Sequence, residues 1–156
     1  MNPMRRKDLQ MDSQFALEVL KKCKYATLAT RNSDGSPYCI PISPVLFDNA
    51  IYFHCALKGT KIDNILTYPR VCLSCVGETT LVPEHFTTEY ESAVVFGTAC
   101  IVTDESQRLA ALRAICTKYA PNNMHQFENE ISKYLKHTCL CKITIDEITG
   151  KAKKMP

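Results

Sequence analysis

Between Ile51 and Ile65 the chain changes hydrophobic period across a single glycine, and that change limits the folds open to it. Ile51, Phe53 and Cys55 alternate with Tyr52, His54 and Ala56, the period of a strand with two distinct faces. Beyond Gly59, residues Ile62, Ile65 and Leu66 fall at helical spacing until Tyr68-Pro69 stops the run. Thr60 suits the N-cap, with Asp63 three positions on as a capping-box-like partner.

Such a turn is a place to hold a phosphate. The first N–H groups of a helix lack intrahelical partners, and the macrodipole adds roughly half a positive charge there. Lys58, Thr60 and Lys61 add a hydroxyl and two cations. The bland alternative is a connector helix whose lysines are only solvated, and the local sequence leaves both readings open. The segment matches neither GxxxxGK[ST] nor GxGxxG, so nucleotide triphosphates and Rossmann dinucleotides lose support.

The remaining pattern alternates strands and helices. An amphipathic helix is expected after Asp12 or Ser13, with Phe15, Ala16, Val19, Leu20 and Cys23 on one stripe. A first strand over 25–30 ends at Asp34-Gly35, a hairpin signal, and a second runs over 37–47. Pro37, Pro41 and Pro44 cannot donate ladder hydrogen bonds, so this strand should be a bent or bulged edge with backbone groups free for a ligand. Asp48-Asn49 turns it into a third strand that ends at His54. A fourth strand is expected over 70–77, a long loop over 78–89, and a fifth strand over 91–103 that bends at Gly97. Asp104 should cap a helix ended by Pro121, another should run over 127–136, and a last strand over 138–145 should precede a polar tail. Six mostly hairpin-linked strands with inserted helices favour an antiparallel barrel flanked by helices.

At 156 residues and 46% hydrophobic content the chain suits one domain, with 1–10 and 151–156 as tails. A net charge of +3 is too balanced to argue for nucleic acid, and no apolar run is long enough to span a membrane. Without a signal-peptide core, a cytoplasmic location is the default expectation. Nine cysteines cannot all pair internally, and free thiols are the simpler state. Cys72 and Cys75 form a CxxC, but on a strand their sulfurs point to opposite faces, which argues against a shared zinc or a redox dithiol. Cys139 and Cys141 share a strand face with no second CxxC or His pair at ligand spacing. No metal site is therefore expected, and most cysteines are read as small core residues.

Several segments together resemble the pyridoxamine 5'-phosphate oxidase-like flavoproteins, with the nitroimidazole-resistance group as the nearest branch. They are Ala26-Thr27-Leu28-Ala29-Thr30, Asp34-Gly35-Ser36-Pro37-Tyr38, Pro41-Ile42, Ile51-Tyr52-Phe53-His54, Gly59-Thr60-Lys61-Ile62-Asp63-Asn64-Ile65 and Phe86-Thr87-Thr88-Glu89-Tyr90-Glu91-Ser92. The resemblance implies a mainly β chain with flanking helices, a six-stranded antiparallel FMN-binding split β-barrel. It implies a homodimer with the flavin at the subunit interface; FMN is the expected cofactor and FAD the alternative. Its phosphate would sit near Lys58, Thr60, Lys61 and Asn64, with Ile42 and Ser43 meeting the ring and His54, Cys55 and Ala56 bordering it. Thr88 and Ser92 would close the site. Thr60 stands where relatives often have His, and Glu89 where they often have Asn.

A flavin would make the protein an oxidoreductase that reduces a small aromatic or nitro-containing substrate with electrons from NAD(P)H. His54 is the candidate proton donor, because an imidazole exchanges a proton near neutrality; the alternative for it is a strand-end histidine bonded to its own turn. The second functional reading is a flavin- or haem-binding storage or sensor module without significant turnover, in which His54 could be a ligand. The third is a dimeric scaffold with an empty cleft.

Overall fold

The structure, a computed structural model, describes residues 4–155. Among the described residues, eight strands and four α-helices follow one another as β1 (Gln10–Met11), α1 (Ser13–Lys22), β2 (Ala26–Arg31), β3 (Pro37–Ile42), β4 (Val45–Phe47), β5 (Ala50–Cys55), α2 (Thr60–Thr67), β6 (Arg70–Val82), β7 (Thr87–Ile101), α3 (Glu105–Tyr119), α4 (Phe127–Tyr134) and β8 (Cys139–Lys153). The strands form a single sheet in the order β3-β2-β6-β7-β8-β5-β4, with β1 added on β8. Every pairing is antiparallel. No described helix is long and apolar enough to cross a membrane.

The two ends of this order are β3 and β4, yet only Ser43 and Pro44 separate them in the chain. The three Cα–Cα steps from Ile42 to Val45 span roughly 11 Å at most. The sheet therefore has to curl until its edges approach, and because β3 and β4 share no ladder it remains a split barrel. The expected single strand over 37–47 is broken at Ser43-Pro44, which is one reason the structure has more than six strands. The freed Pro44 carbonyl does not await a ligand: Lys118 Nζ and the Tyr119 hydroxyl donate to it at 2.8 and 2.7 Å, tying α3 to the break.

β5 is buried on both faces, which explains its nearly continuous apolar sequence. Ile51 and Phe53 pack with Leu28, Leu73, Val95 and Ile143 under α1 and α2. Ala50 and Tyr52 pack on the other side with Leu140 and with Ala111, Leu112 and Ile115 of α3. Complete burial of Tyr52 and Phe53 is worth on the order of 1.5–3 kcal/mol each. The helix starts follow the sequence: Phe15 N–H donates to Asp12 and Gln107 N–H to Asp104, both at 2.8 Å. Asp48 and Asn49 both take positive φ in the turn between β4 and β5, as a tight hairpin needs.

Two expected irregular stretches are ordered strand. The loop expected over 78–89 is instead a hairpin in which Thr79, Thr80, Leu81 and Val82 pair with Tyr90, Glu89, Thr88 and Thr87. These β-formers continue the ladder past a bulge after Val76, and the chain reverses at Pro83–His85 with Phe86 at φ 48°. The expected carboxy-terminal tail continues β8, where Lys151, Ala152 and Lys153 pair with Ser92, Glu91 and Tyr90. At the other end of the chain, Gln10 and Met11 pair with Lys151 and Gly150.

Candidate functional site

β5 leads into α2 through a turn over 56–59 whose last residue, Gly59, sits at φ 136°. Side chains with a Cβ rarely adopt that conformation, so glycine sets the entry angle of the helix. Gly59, not Thr60, is the N-cap; Thr60 is the first helical residue, and no side chain caps the start. The Gly59 carbonyl accepts from Ile62 and Asp63 N–H, which leaves the N–H groups of Thr60 and Lys61 without intrahelical acceptors.

In front of this start lies a recess of about 120 Å³ lined by Tyr38, Cys55, Ala56, Lys58, Thr60 and Lys61. It bridges β3 and the end of β5, two strands that are not neighbours in the sheet, so it opens at the split. Among the described residues neither lysine is in an ion pair. Lys61 is held over the Phe53 ring, Nζ 5.7 Å from its centroid. An uncapped helix start beside two unpaired cations can take up an anion of phosphate size.

α2 is fixed to the sheet by Asn64, which is 5% exposed and donates to Thr30 Oγ1 and Asn32 Oδ1, both at 2.9 Å. The Asn64 side chain is thus turned into the scaffold and away from the recess. Ile42 is buried in the core, and Ser43 is exposed at the strand break. Thr88 pairs with Leu81 on the hairpin, while the Ser92 hydroxyl faces the Lys151 carbonyl. None of these four lines the recess. Tyr38 does, and the sequence reading did not select it. Thr30, which pairs with Tyr38 across the ladder, carries the bond to Asn64, a link between distant segments that no local pattern reveals.

His54 and Cys55 part ways because neighbours on a strand face opposite sides. Cys55 borders the recess, whereas His54 lines a cavity of about 460 Å³ between α3 and α4 with Leu112, Ile115, Phe127, Ile131 and Tyr134. Partial desolvation, and secondarily the Lys61 charge, lowers the His54 pKa below its usual 6.5, which favours the neutral imidazole. A hydrogen bond with Cys141, against the cost of burial and helped by Lys61, lowers the Cys55 thiol to about 6.

Several solved structures share this fold. A candidate 5-nitroimidazole antibiotic resistance protein from Bacteroides thetaiotaomicron superposes with a TM-score of 0.75 at 20% identity, covering 94% of this chain and 90% of its own. A FAD-binding protein from Mesorhizobium loti gives 0.70 at 21% identity, with 93% and 97% covered. A FAD and haem binding protein from Mycobacterium smegmatis gives 0.78 at 20% identity, with 94% and 74% covered. No curated protein matches the chain. The sequence profile described as pyridoxamine 5'-phosphate oxidase matches residues 12–152, nearly all of the split barrel, and the chain belongs to that family.

Proposed function

We propose that this protein binds a flavin, FMN first and FAD second, with a phosphate in the recess at the start of α2, and uses it as an oxidoreductase. The observation that carries the reading is the uncapped first turn of α2 at the split of the barrel, with Lys58 and Lys61 beside it in no ion pair among the described residues. Family membership supports it, as do fold neighbours described as FAD-binding. A bound flavin would supply hydride or electron transfer. Lys61, Lys58 and the Thr60 and Lys61 N–H groups would hold the phosphate, with Tyr38, Cys55 and Ala56 walling the recess. A small aromatic or nitro-containing compound is the proposed substrate and NAD(P)H the proposed donor; the resistance-protein fold neighbour supports the former.

We further propose that the protein is a homodimer, with the hairpin of β6 and β7 as its arm. Phe86 is 97% and Leu81 76% exposed on that hairpin, with Val76 and Tyr25 also exposed, and a second copy would cover them. Thr88 and Ser92, absent from the recess of their own chain, would then be available to the partner's site. The cysteines are free thiols, which fits a reducing compartment and supports a cytoplasmic location.

The test is to purify the protein gently, release any bound cofactor and identify it by mass. A flavin that NAD(P)H bleaches and a nitroaromatic restores supports the enzyme, whereas flavin without turnover leaves a storage or sensor module. Protein that neither contains nor takes up FMN or FAD refutes the proposal. A haem reading is favoured by one observation, the His54 imidazole on the wall of the α3–α4 cavity, and a Soret band lost in His54→Ala would establish it.

A further inference from the structure

Cys55 lies directly opposite Cys139 in the β5–β8 ladder, and Cys141 lies opposite Phe53 one step along. Residues two apart share a face of a strand, so all three thiols project to the same side. Their sulfur atoms lie within 4.8 Å of one another, and they form the one such group of three or more ligating residues among the described residues. Cys139 and Cys141 are buried, and Cys55 is half-buried at the wall of the α2 recess, so an ion has a route in from that side.

We propose that Cys55, Cys139 and Cys141 form a binding site for a thiophilic divalent cation of the zinc class, with the fourth position left to solvent on the Cys55 side. Zinc–sulfur bonds of about 2.3 Å in a tetrahedron set the sulfurs roughly 3.8 Å apart, so the group needs to contract by about 1 Å at most. An all-sulfur donor set selects zinc or copper(I) over magnesium or calcium. Iron–sulfur clusters commonly take four cysteines, one more than the group offers. Charge decides between the remaining two. Three thiolates leave two negative charges around a monovalent ion but one around a divalent ion, and an apolar wall favours the smaller residue of charge. Lys61 and Arg108 act on Cys55 and Cys139 respectively and offset it. The Cys23–Cys75 contact offers two sulfurs only, while Cys39 and Cys100 are exposed. The sequence displayed Cys139 and Cys141 on one strand face, but the third ligand comes from a distant strand that only the register brings opposite.

The inference does not rest on flavin binding, but Cys55 also walls the recess proposed for the flavin phosphate, so it is tested on the full-length, fully reduced protein freed of both metal and flavin. Titration with Co²⁺ should give one equivalent with the intense visible bands of tetrahedral cobalt thiolate, and Zn²⁺ should displace it. Cys55→Ser should remove those bands and weaken Zn²⁺ binding at least about tenfold, read by competition with a chromophoric chelator. Cys55 is half-buried, so this variant reports even where Cys141→Ser fails to fold. The double variant Cys39→Ser/Cys100→Ser should bind like the parent. A weak octahedral cobalt spectrum, unchanged affinity in Cys55→Ser, or loss of binding in the double variant each overturns the proposal.

Discussion

The side-chain amide of Asn64 donates to the hydroxyl of Thr30 at 2.9 Å, joining the middle of α2 to the end of β2 inside the protein. Thr30 is in turn the ladder partner of Tyr38, so one buried bond holds both walls of the recess at the split. The family resemblance implied Asn64 as a phosphate contact at this helix start. Its burial and its two acceptors make it the bolt of that helix instead.

Asn64→Ala should therefore destabilise the protein by about 1–3 kcal/mol, since Thr30 and Asn32 lose a buried donor. Urea denaturation measures this. Thr30→Val should overlap with it, with a coupling energy of at least about 0.5 kcal/mol in the double-mutant cycle. Strictly additive losses would show that the bond does not hold α2.

Gly97 sits where the β7–β8 register shifts after Phe96, and a Cβ there would lie 2.4 Å from the Thr144 carbonyl oxygen. Backbone cannot swing aside as a side-chain tip can. Gly97→Ala should cost about 1–3 kcal/mol, seen as a lower denaturation midpoint. A neutral substitution would mean that the curl of the sheet does not depend on this close approach.

The elements legible in the sequence were those set by local chemistry. Asp12 and Asp104 cap their helices, Asp34-Gly35 and Asp48-Asn49 make the tight turns, and the alternation in 51–55 gave β5 and the separation of Phe53 from Tyr52. Where the outcome depended on a partner strand, the pattern fell short. The stretch over 78–89 is polar enough to read as loop, and only the ladder from Thr79↔Tyr90 to Val82↔Thr87 makes it strand. Residues 151–153 are a lysine-rich end that β7 recruits. At the site, Lys58, Thr60 and Lys61 came together because they share one turn. Tyr38 could not be picked out, because its place depends on a bond between residues 30 and 64. Thr60 was misassigned as the cap because a threonine beside a glycine is the usual choice, and the positive φ of Gly59 reversed it.

Hydrogen bonds from Ser106 and from the Gln107 N–H hold the Asp104 carboxyl below its ordinary 3.8. A carboxylate lowered in the folded state stabilises the fold above the unfolded value, and that contribution is lost as pH falls through the folded one. Asp104→Asn should keep the cap but flatten this part of the acid limb of stability against pH, whereas Asp104→Ala should lower thermal stability near neutrality as well. An unaltered acid limb in Asp104→Asn would remove this residue from the linkage.

Phe86 and Leu81 extend the β6–β7 arm with apolar surface facing outward. If the protein is the proposed homodimer, the parent should sediment as a dimer and Phe86→Ser together with Leu81→Thr as a monomer, with the far-ultraviolet circular dichroism unchanged. Flavin retention should fall in parallel if the arm completes the partner's site. A variant that remains a full dimer places the interface elsewhere.

Lys61 is the residue on which the cofactor reading can be tested most directly. It has no carboxylate partner among the described residues, so replacing it leaves no ion-pair partner exposed. Its Nζ, 5.7 Å from the Phe53 ring centroid, stands at the first turn of α2 where a phosphate would also meet backbone N–H groups. A charge-assisted hydrogen bond is worth roughly 1.5–3 kcal/mol, so Lys61→Ala should weaken FMN binding about tenfold or more. Raising the salt concentration should narrow the gap between variant and parent, because screening weakens the contribution of the charge. Riboflavin, which has the ring but no phosphate, should bind parent and variant alike. If the two proteins bind FMN equally, or if riboflavin loses as much affinity as FMN, the phosphate does not lie at the start of α2.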